Sequence, residues 1–466
     1  MTSVSQTRSS IPRVVVLLVP GLRACDLPLM PSLTGLISRG GDAFDFHPSL
    51  PALTCPVQAA ISTGTLGSVH GIVANGVYDR GLQKLEMWTA PDTAIQSPRL
   101  WDHIKSARPE VRTAAWFLLE SKGATADLVC MPAPVHNPDG SETPWCHSRP
   151  TPLYGPLREK LGDFPLHKFW GPLAGIESSQ WIARSFIEAS RTDPPHLSMV
   201  YLPHLDYASQ RQGPDSQAAL SACAELDGVI HLLTDEFDAM TDGMTTYLVI
   251  GEYQIVPVSH TIHPNRILRD AGLLHVTQGP DGELLDMPGS EAWALADHQV
   301  SHIFLRDPTD LRCHKKVVAL FQGREGVAAV LEGSAIDRAG LRHARAGDVL
   351  VVSSSESWQS YFYWFDDALA PKFARTVDIH RKPGYDPLEL FFDRAAGGIP
   401  LNPALVRGSH GAVSLDAPKP GLFLSSKPIA FQSAHSTSDG KQRIIRDIDV
   451  AGIISNLYEI PSPNNC

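Results

Sequence analysis

Three short apolar runs, each closed by a turn residue and followed by polar side chains, constrain the fold of this chain more than anything else in it. Val14-Val15-Val16-Leu17-Leu18-Val19 stops at Pro20-Gly21. Leu197-Ser198-Met199-Val200-Tyr201-Leu202 stops at Pro203, with His204, Asp206 and Tyr207 behind it. Thr245-Thr246-Tyr247-Leu248-Val249-Ile250 runs into Gly251-Glu252-Tyr253. None of the three alternates apolar with polar residues, as expected of strands covered on both faces in a parallel sheet. The stretch Ser216 to Phe237 between the last two carries Ala219, Leu220, Ala222, Cys223, Leu226, Val229, Ile230 and Leu233 at helical spacing. Strand, polar terminus, helix, strand is the grammar of an α/β doubly wound, mostly parallel sheet, whose ligands sit beyond the carboxyl ends of its strands.

The composition bounds what such a sheet can serve. The 466 residues suffice for one large or two ordinary domains. A net charge of −11, with no long basic run, disfavours a nucleic-acid partner held through its phosphates. Seven cysteines (25, 55, 130, 146, 223, 313 and 466) are scattered without a CxxC pair, which suits a reducing compartment. The apolar run after Arg8 and Arg13 is too short for a signal-peptide core or a membrane span, and no other stretch is long enough. The expectation is a soluble, cytoplasmic protein with no membrane partner. Residues 271–375 read differently, with short segments around Gly279-Pro280-Asp281-Gly282, Gly333-Ser334 and Gly347-Asp348. They are expected to form a smaller α+β insertion on a core made of 1–270 and 376–466. A last helix is expected over Ile444 to Leu457.

The stretch Pro51-Ala52-Leu53-Thr54-Cys55-Pro56 places a hydroxyl where a helix begins, with Pro56 suited to its first turn. A hydroxyl there can act as a covalent nucleophile, because free backbone N–H groups and the positive dipole end stabilise an alkoxide and an attached phosphoryl group. Asn75, in His70-Gly71-Ile72-Val73-Ala74-Asn75, can donate to a phosphoryl oxygen. Taken singly, Thr54 reads as an N-cap and Asn75 as a turn residue; their joint arrangement is what points to chemistry.

From these motifs the chain resembles the nucleotide pyrophosphatase/phosphodiesterase branch of the alkaline phosphatase superfamily. The shared order is strand, Gly-Leu-Arg, Pro-x-Leu-Thr-x-Pro, Thr-Gly, and His-Gly-Ile-x-x-Asn with Tyr78-Asp79 after it. It continues at His204-Leu205-Asp206, Gly213-Pro214-Asp215, Ile250-Gly251-Glu252, Pro264-Asn265, Gly272-Leu273-Leu274 and Gly408-Ser409-His410-Gly411. The resemblance implies the alkaline-phosphatase-like fold, a phosphoester hydrolase or phosphoryl transferase, and a small anionic substrate, a phosphate ester. It implies Thr54 as nucleophile, Asn75 as phosphoryl-binding residue, and Asp206 and His410 as ligands of one divalent metal ion, usually zinc.

The same resemblance shows where the chain departs. Pro20 stands where the family has an Asp, Gln210 where it has a His, and Glu252-Tyr253-Gln254 where it has Asp-His-Gly. Zinc favours imidazole, carboxylate and thiolate, so one ion is expected rather than two. Replacement ligands are available in Val377-Asp378-Ile379-His380-Arg381-Lys382: on a strand, Asp378 and His380 point to one side. The alternative for this run is a surface turn with solvated charges, or an anion clamp by Arg381 and Lys382. Ala296-Asp297-His298-Gln299 with His302 is either a further metal site or a structural hydrogen-bond pair. The aromatic run from Trp358 to Phe365 reads as core of the insertion or as a pocket wall. The competing function is a repurposed scaffold acting as a biosynthetic lyase or isomerase, with one metal or none and Glu252, Tyr253 or His380 as acid and base. A non-catalytic binder of an anionic metabolite is the third reading.

Overall fold

A computed structural model of the chain describes residues 11–136, 142–413, 420–430 and 444–463. Seven strands of the large sheet come first: β1 (Arg13–Leu18), β2 (Asp42–His47), β3 (Thr113–Trp116), β4 (Leu128–Pro132), β5 (Cys146–Arg149), β6 (Leu197–Tyr201) and β7 (Thr245–Ile250). Four more, β8 (Ala292–Asp297), β9 (Val300–Leu305), β10 (Val327–Leu331) and β11 (Val349–Ser353), form a separate antiparallel sheet in the order β8-β9-β11-β10. The chain then returns with β12 (Gly421–Ser425) and β13 (Ile444–Arg446) to a nine-stranded sheet ordered β13-β2-β12-β7-β1-β6-β3-β4-β5.

The large sheet is parallel in its centre and mixed at its edges. β1 lies between β6 and β7, parallel to both, with Leu18 opposite Tyr201 on one side and Ile250 on the other. Every residue from Val14 to Leu18 is buried, which accounts for the absence of polar alternation. β12 runs antiparallel to both β2 and β7, and β5 antiparallel to β4. The doubly wound expectation thus holds as a mixed α/β sheet. One expected helix is corrected: Ile444–Arg446 pairs with β2 as a strand, and only Val450–Leu457 is α-helical. Ile444-Ile445 supplies the β-branched pair that an edge strand favours, which outweighs helical spacing there.

Four helices frame the carboxyl end of the sheet or brace it: α1 (Thr54–Thr63), α2 (Ile176–Ser190), α3 (His204–Gln212) and α4 (Gln217–Met240). The Ser216 hydroxyl caps α4 by accepting from the Ala219 N–H. Every residue of α1 is buried, so this helix is a core element whose N-terminus meets the carboxyl end of the sheet. The aromatic run settles as core, with Trp358, Tyr361, Phe362, Tyr363 and Trp364 buried around the second sheet and Phe365 outside it. No helix among the described residues is long and apolar enough to cross a membrane.

Candidate active site

Thr54 is the first residue of α1, buried, and its Oγ1 lies 3.0 Å from the hydroxyl of Tyr253. Tyr253 is delivered by the tight turn after β7. Gly251 has no space for a side chain, because a Cβ there would sit 2.4 Å from the carbonyl oxygen of Leu22. Glu252 follows with φ +44°, a left-handed conformation that is costly for a residue with a side chain. This turn aims Glu252 back toward α1, where its Oε1 accepts from the Gln58 Nε2–H at 2.9 Å. Gln58 is fixed in turn, its Oε1 accepting from the Leu119 N–H at 2.9 Å.

Asn75 reaches the same helix start by a different route from the one expected. Its Oδ1 accepts from the Cys55 N–H (3.0 Å), so that amide is already engaged, and Pro56 has none to offer. The expected clamp of several amides after Thr54 therefore reduces to the N–H of Thr54 itself. The donors of Asn75 face Asp297: the backbone N–H meets Oδ2 at 2.9 Å and Nδ2 meets Oδ1 at 3.1 Å. Nδ2 carries a second proton beyond this bond. Asp297 also accepts from His298 Nδ1 at 2.7 Å. Both residues sit at the tip of the β8–β9 hairpin, where His298 takes φ +57° in the two-residue turn. The Gln299 N–H then donates to the His410 carbonyl, which holds the hairpin tip against the site. Asp297-His298 is a hydrogen-bonded pair inside the site, not a separate metal centre.

A stack of rings crosses the region. Tyr253 lies flat on His410 (centroids 3.7 Å apart), His410 tilts against His298 (3.9 Å), and His298 lies on Tyr385 (3.6 Å). The Tyr385 hydroxyl donates to Gln210 Oε1 at 2.7 Å, and Gln210 Nε2 donates to Asp206 Oδ2 at 2.9 Å. Gln210, one helical turn after Asp206 on α3, thus serves as a bridge between Tyr385 and the carboxylate.

Burial governs the protonation of these groups. It raises Asp206 to about 7 and Asp297 to about 6, and lifts the Glu252 carboxyl and Tyr253 phenol well above their ordinary ranges. His298 and His410 are held neutral for the same reason. The His410 Nδ1–H donates to the Ala52 carbonyl at 2.8 Å, leaving Nε2 as the unprotonated nitrogen.

Three buried polar atoms here lack a hydrogen-bond partner: Asp206 Oδ1, Glu252 Oε2 and His410 Nε2. Each belongs to a side chain held from behind by its other polar atom, the arrangement in which outer-shell bonds orient metal ligands. In donor type, Asp206 and His410 fit a divalent ion. They are not gathered with further donors, however. Among the described residues no three His, Cys, Asp or Glu side chains are grouped to hold a metal. The strand expected for Asp378 and His380 is corrected, since the segment is a turn lining the cleft. Pro383 and the flanking Gly384 preclude a continued strand. The Asp378 carboxylate there accepts from the Arg381 N–H (3.1 Å) and side chain, and so is tied up by its neighbour.

A cleft of about 1250 Å³ opens over this floor, lined by Thr54, Asp206, His298, Asp378, His380 and Arg381 together with a larger apolar surface. Asn75, Glu252 and His410 stand behind it. The model of the type I phosphodiesterase / nucleotide pyrophosphatase family matches residues 14–386, which include the Thr54 helix, Asp206 and the Glu252 turn. The chain belongs to that family. Its members are phosphoric ester hydrolases of the alkaline phosphatase superfamily. An uncharacterized pyrophosphatase/phosphodiesterase of Schizosaccharomyces pombe is 25% identical over 259 residues, a match spanning 53% of this chain and 45% of that protein. Murine ectonucleotide pyrophosphatase/phosphodiesterase 5 has a similar fold, with TM-score 0.60 at 14% identity over 97% of this chain and 96% of that one. An inactive form of it, in complex with AMP, gives the same values. Phosphonoacetate hydrolase from Sinorhizobium meliloti 1021, in complex with phosphonoformate, matches with TM-score 0.60 at 15% identity over 96% of each chain.

Proposed function

We propose that this protein hydrolyses small phosphate esters with Thr54 as the nucleophile. The observation that carries this reading is the position of Thr54. It opens a buried helix on the cleft floor, its oxygen 3.0 Å from the Tyr253 hydroxyl and its cleft shared with Asp206. The Thr54 Oγ–P bond forms as the ester P–O bond breaks, and the proton given up by the Thr54 hydroxyl ends on the departing alkoxide. Water then cleaves the phosphothreonine, releasing phosphate and restoring the hydroxyl. Because burial keeps the proton on Tyr253, its O–H donates into Thr54 Oγ1 as charge collects there. The Thr54 N–H and the second Nδ2 proton of Asn75 bind the phosphoryl oxygens. Glu252, its carboxyl pushed well up by burial, holds Gln58 and the helix start in register.

Asp206 Oδ1 and His410 Nε2 would hold one divalent ion, zinc by donor chemistry, which supplies positive charge toward the phosphoryl oxygens. Pro20 and Tyr253 offer nothing for a second. Asp378 and His380, on the turn that lines the cleft, face incoming substrate. The AMP and phosphonoformate bound by the murine and Sinorhizobium neighbours support a small phosphate-bearing ligand. The six described cysteines are free; Cys466 lies outside the described residues. Free thiols support a cytoplasmic location.

A second reading rests on Asp206, whose carboxyl at about 7 is poised for proton transfer. A lyase or isomerase would use it with Glu252, Tyr253 or His380. Turnover of p-nitrophenyl phosphate and bis-p-nitrophenyl phosphate, with an acid quench to trap phosphate on Thr54, separates the two. Failure to hydrolyse either ester, with no phosphothreonine in the quenched protein, refutes the hydrolase.

A further inference from the structure

We infer that the substrate is a phosphate ester of a bulky hydrocarbon alcohol, not a nucleotide or a polyphosphate. This rests on the phosphoester reading of the site but is decided by the cleft walls. At about 1250 Å³ the cleft exceeds the roughly 300–1,000 Å³ usual for small-ligand sites. A phosphoryl group on Thr54 occupies only its floor.

The lining is poor in the groups that recognise nucleotides. Among the described residues it contains one arginine, no lysine and three aspartates (Asp163, Asp206 and Asp378), and the arginine is paired with Asp378. Asp163 and Asp378 are each already paired with an arginine, so the described lining keeps no unpaired lysine or arginine for a second or third phosphate. Among the described residues no asparagine, glutamine or serine lines the cleft, so the amide forks that read base edges are absent from its described walls. Beside threonine, histidine and tyrosine side chains the lining is apolar: Trp88, Met131, Phe169 and Trp170 form walls, with Leu173 and Val377 at the mouth. Those last two are 61% and 47% exposed, large apolar side chains left facing water beside the opening. Exposed apolar groups continuous with an apolar cleft mark where a hydrocarbon substituent leaves water.

The walls are also held rigid. Glu389 accepts from the Trp170 Nε1–H (2.5 Å) and from the Asp378 N–H (2.8 Å), joining two separate segments of the lining through one carboxylate. The aromatic surface is therefore preformed, as tight binding of an apolar group requires.

Equilibrium binding of alkylphosphonates tests this without depending on Thr54, because they carry no ester to hydrolyse. Methyl-, butyl- and octylphosphonate, with AMP as comparator, would be titrated into the wild-type protein by calorimetry below micelle-forming concentrations. Each methylene fully taken from water is worth about fourfold in affinity. Octylphosphonate is expected to bind at least about a hundredfold tighter than methylphosphonate, and tighter than AMP. The double variant Leu173→Asn, Val377→Asn changes only exposed positions, and should cut the octyl-to-methyl affinity ratio about tenfold. A flat chain-length series, or AMP binding tighter than octylphosphonate, overturns the inference. Neither result touches the nucleophile reading, which would still stand if Thr54 became phosphorylated by short esters.

Discussion

The carboxylate of Asp297 holds Asn75 by both of its nitrogen donors, the backbone N–H at 2.9 Å and Nδ2 at 3.1 Å. Asn75 then holds the Cys55 amide at the start of the Thr54 helix. Two residues that are 222 positions apart in sequence are thereby joined, and the β8–β9 hairpin braces the start of the Thr54 helix.

Asp297→Ala should therefore act on chemistry as well as on stability. Removing a fully buried acceptor leaves the Asn75 donors and the His298 N–H without a partner, at a cost of about 3 kcal/mol. Asp297→Asn keeps the shape and part of the acceptor capacity, and should recover most of the stability while kcat stays about tenfold low. Denaturant unfolding and steady-state kinetics on the same preparations check this. Full kcat in folded Asp297→Ala would show that the hairpin is only a lid on the core.

How much could be read from sequence depended on how local each signal was. The buried strands were legible because five consecutive apolar residues in β1 admit few other environments. The helix start at Thr54 was legible because Leu-Thr-Cys-Pro writes it in adjacent residues. The support of the site was not. Gln58 lies one turn after Thr54, and that spacing was the only hint that it faces Glu252. The partnership of Asp297 with Asn75, and of Tyr385 with Gln210, depends on long-range docking that no short pattern encodes. The Asp378–His380 run misled for the opposite reason: polar density suggested ligands, while Pro383-Gly384 dictated a turn that pairs Asp378 with Arg381.

Glu120 gives a pH signature. Burial raises its carboxyl to about 7 from 4.5, although the Cys55 thiol and Arg99 pull it the other way. Between those two values the folded protein holds a proton that the unfolded chain has released. This contribution to stability is thus complete below about 4.5 and is lost as pH rises through about 7. The full swing is on the order of 3 kcal/mol. Glu120→Gln cannot titrate, so the variant should gain stability over wild type at pH 8 relative to pH 5. Equal unfolding free-energy differences at both pH values would count against a buried, proton-holding Glu120.

Metal content is a direct measure of the Asp206–His410 assignment. Wild-type protein equilibrated with zinc and desalted is expected to carry about one ion per chain. His410→Ala should lose it, and Gln210→Ala, which frees the Asp206 carboxylate, should weaken retention by about 10–100-fold. Elemental analysis by mass spectrometry reads both, with circular dichroism as the control for folding. Undiminished zinc in His410→Ala would remove that residue from the site.

The comparison of Thr54→Ala with Glu252→Gln separates the two kinds of chemistry. Thr54→Ala keeps the start of α1 and removes only the oxygen proposed to attack and a methyl-sized difference in shape. Its kcat should fall on the order of 10³-fold, with KM within a few-fold, because the lost interaction belongs to the transition state. Burial pushes the Glu252 carboxyl well above its ordinary range, and it accepts from Gln58 through one oxygen. A glutamine there is neutral, equal in size and able to accept the same bond, so Glu252→Gln should retain activity within about tenfold. In a lyase or isomerase the ranking inverts, since a carboxyl that delivers or removes a proton cannot be replaced by an amide. Single-turnover rates for both variants, on p-nitrophenyl phosphate and on an alkyl phosphate, decide between them. A slow Glu252→Gln beside a near-normal Thr54→Ala would assign the chemistry to acid–base catalysis and end the nucleophile reading.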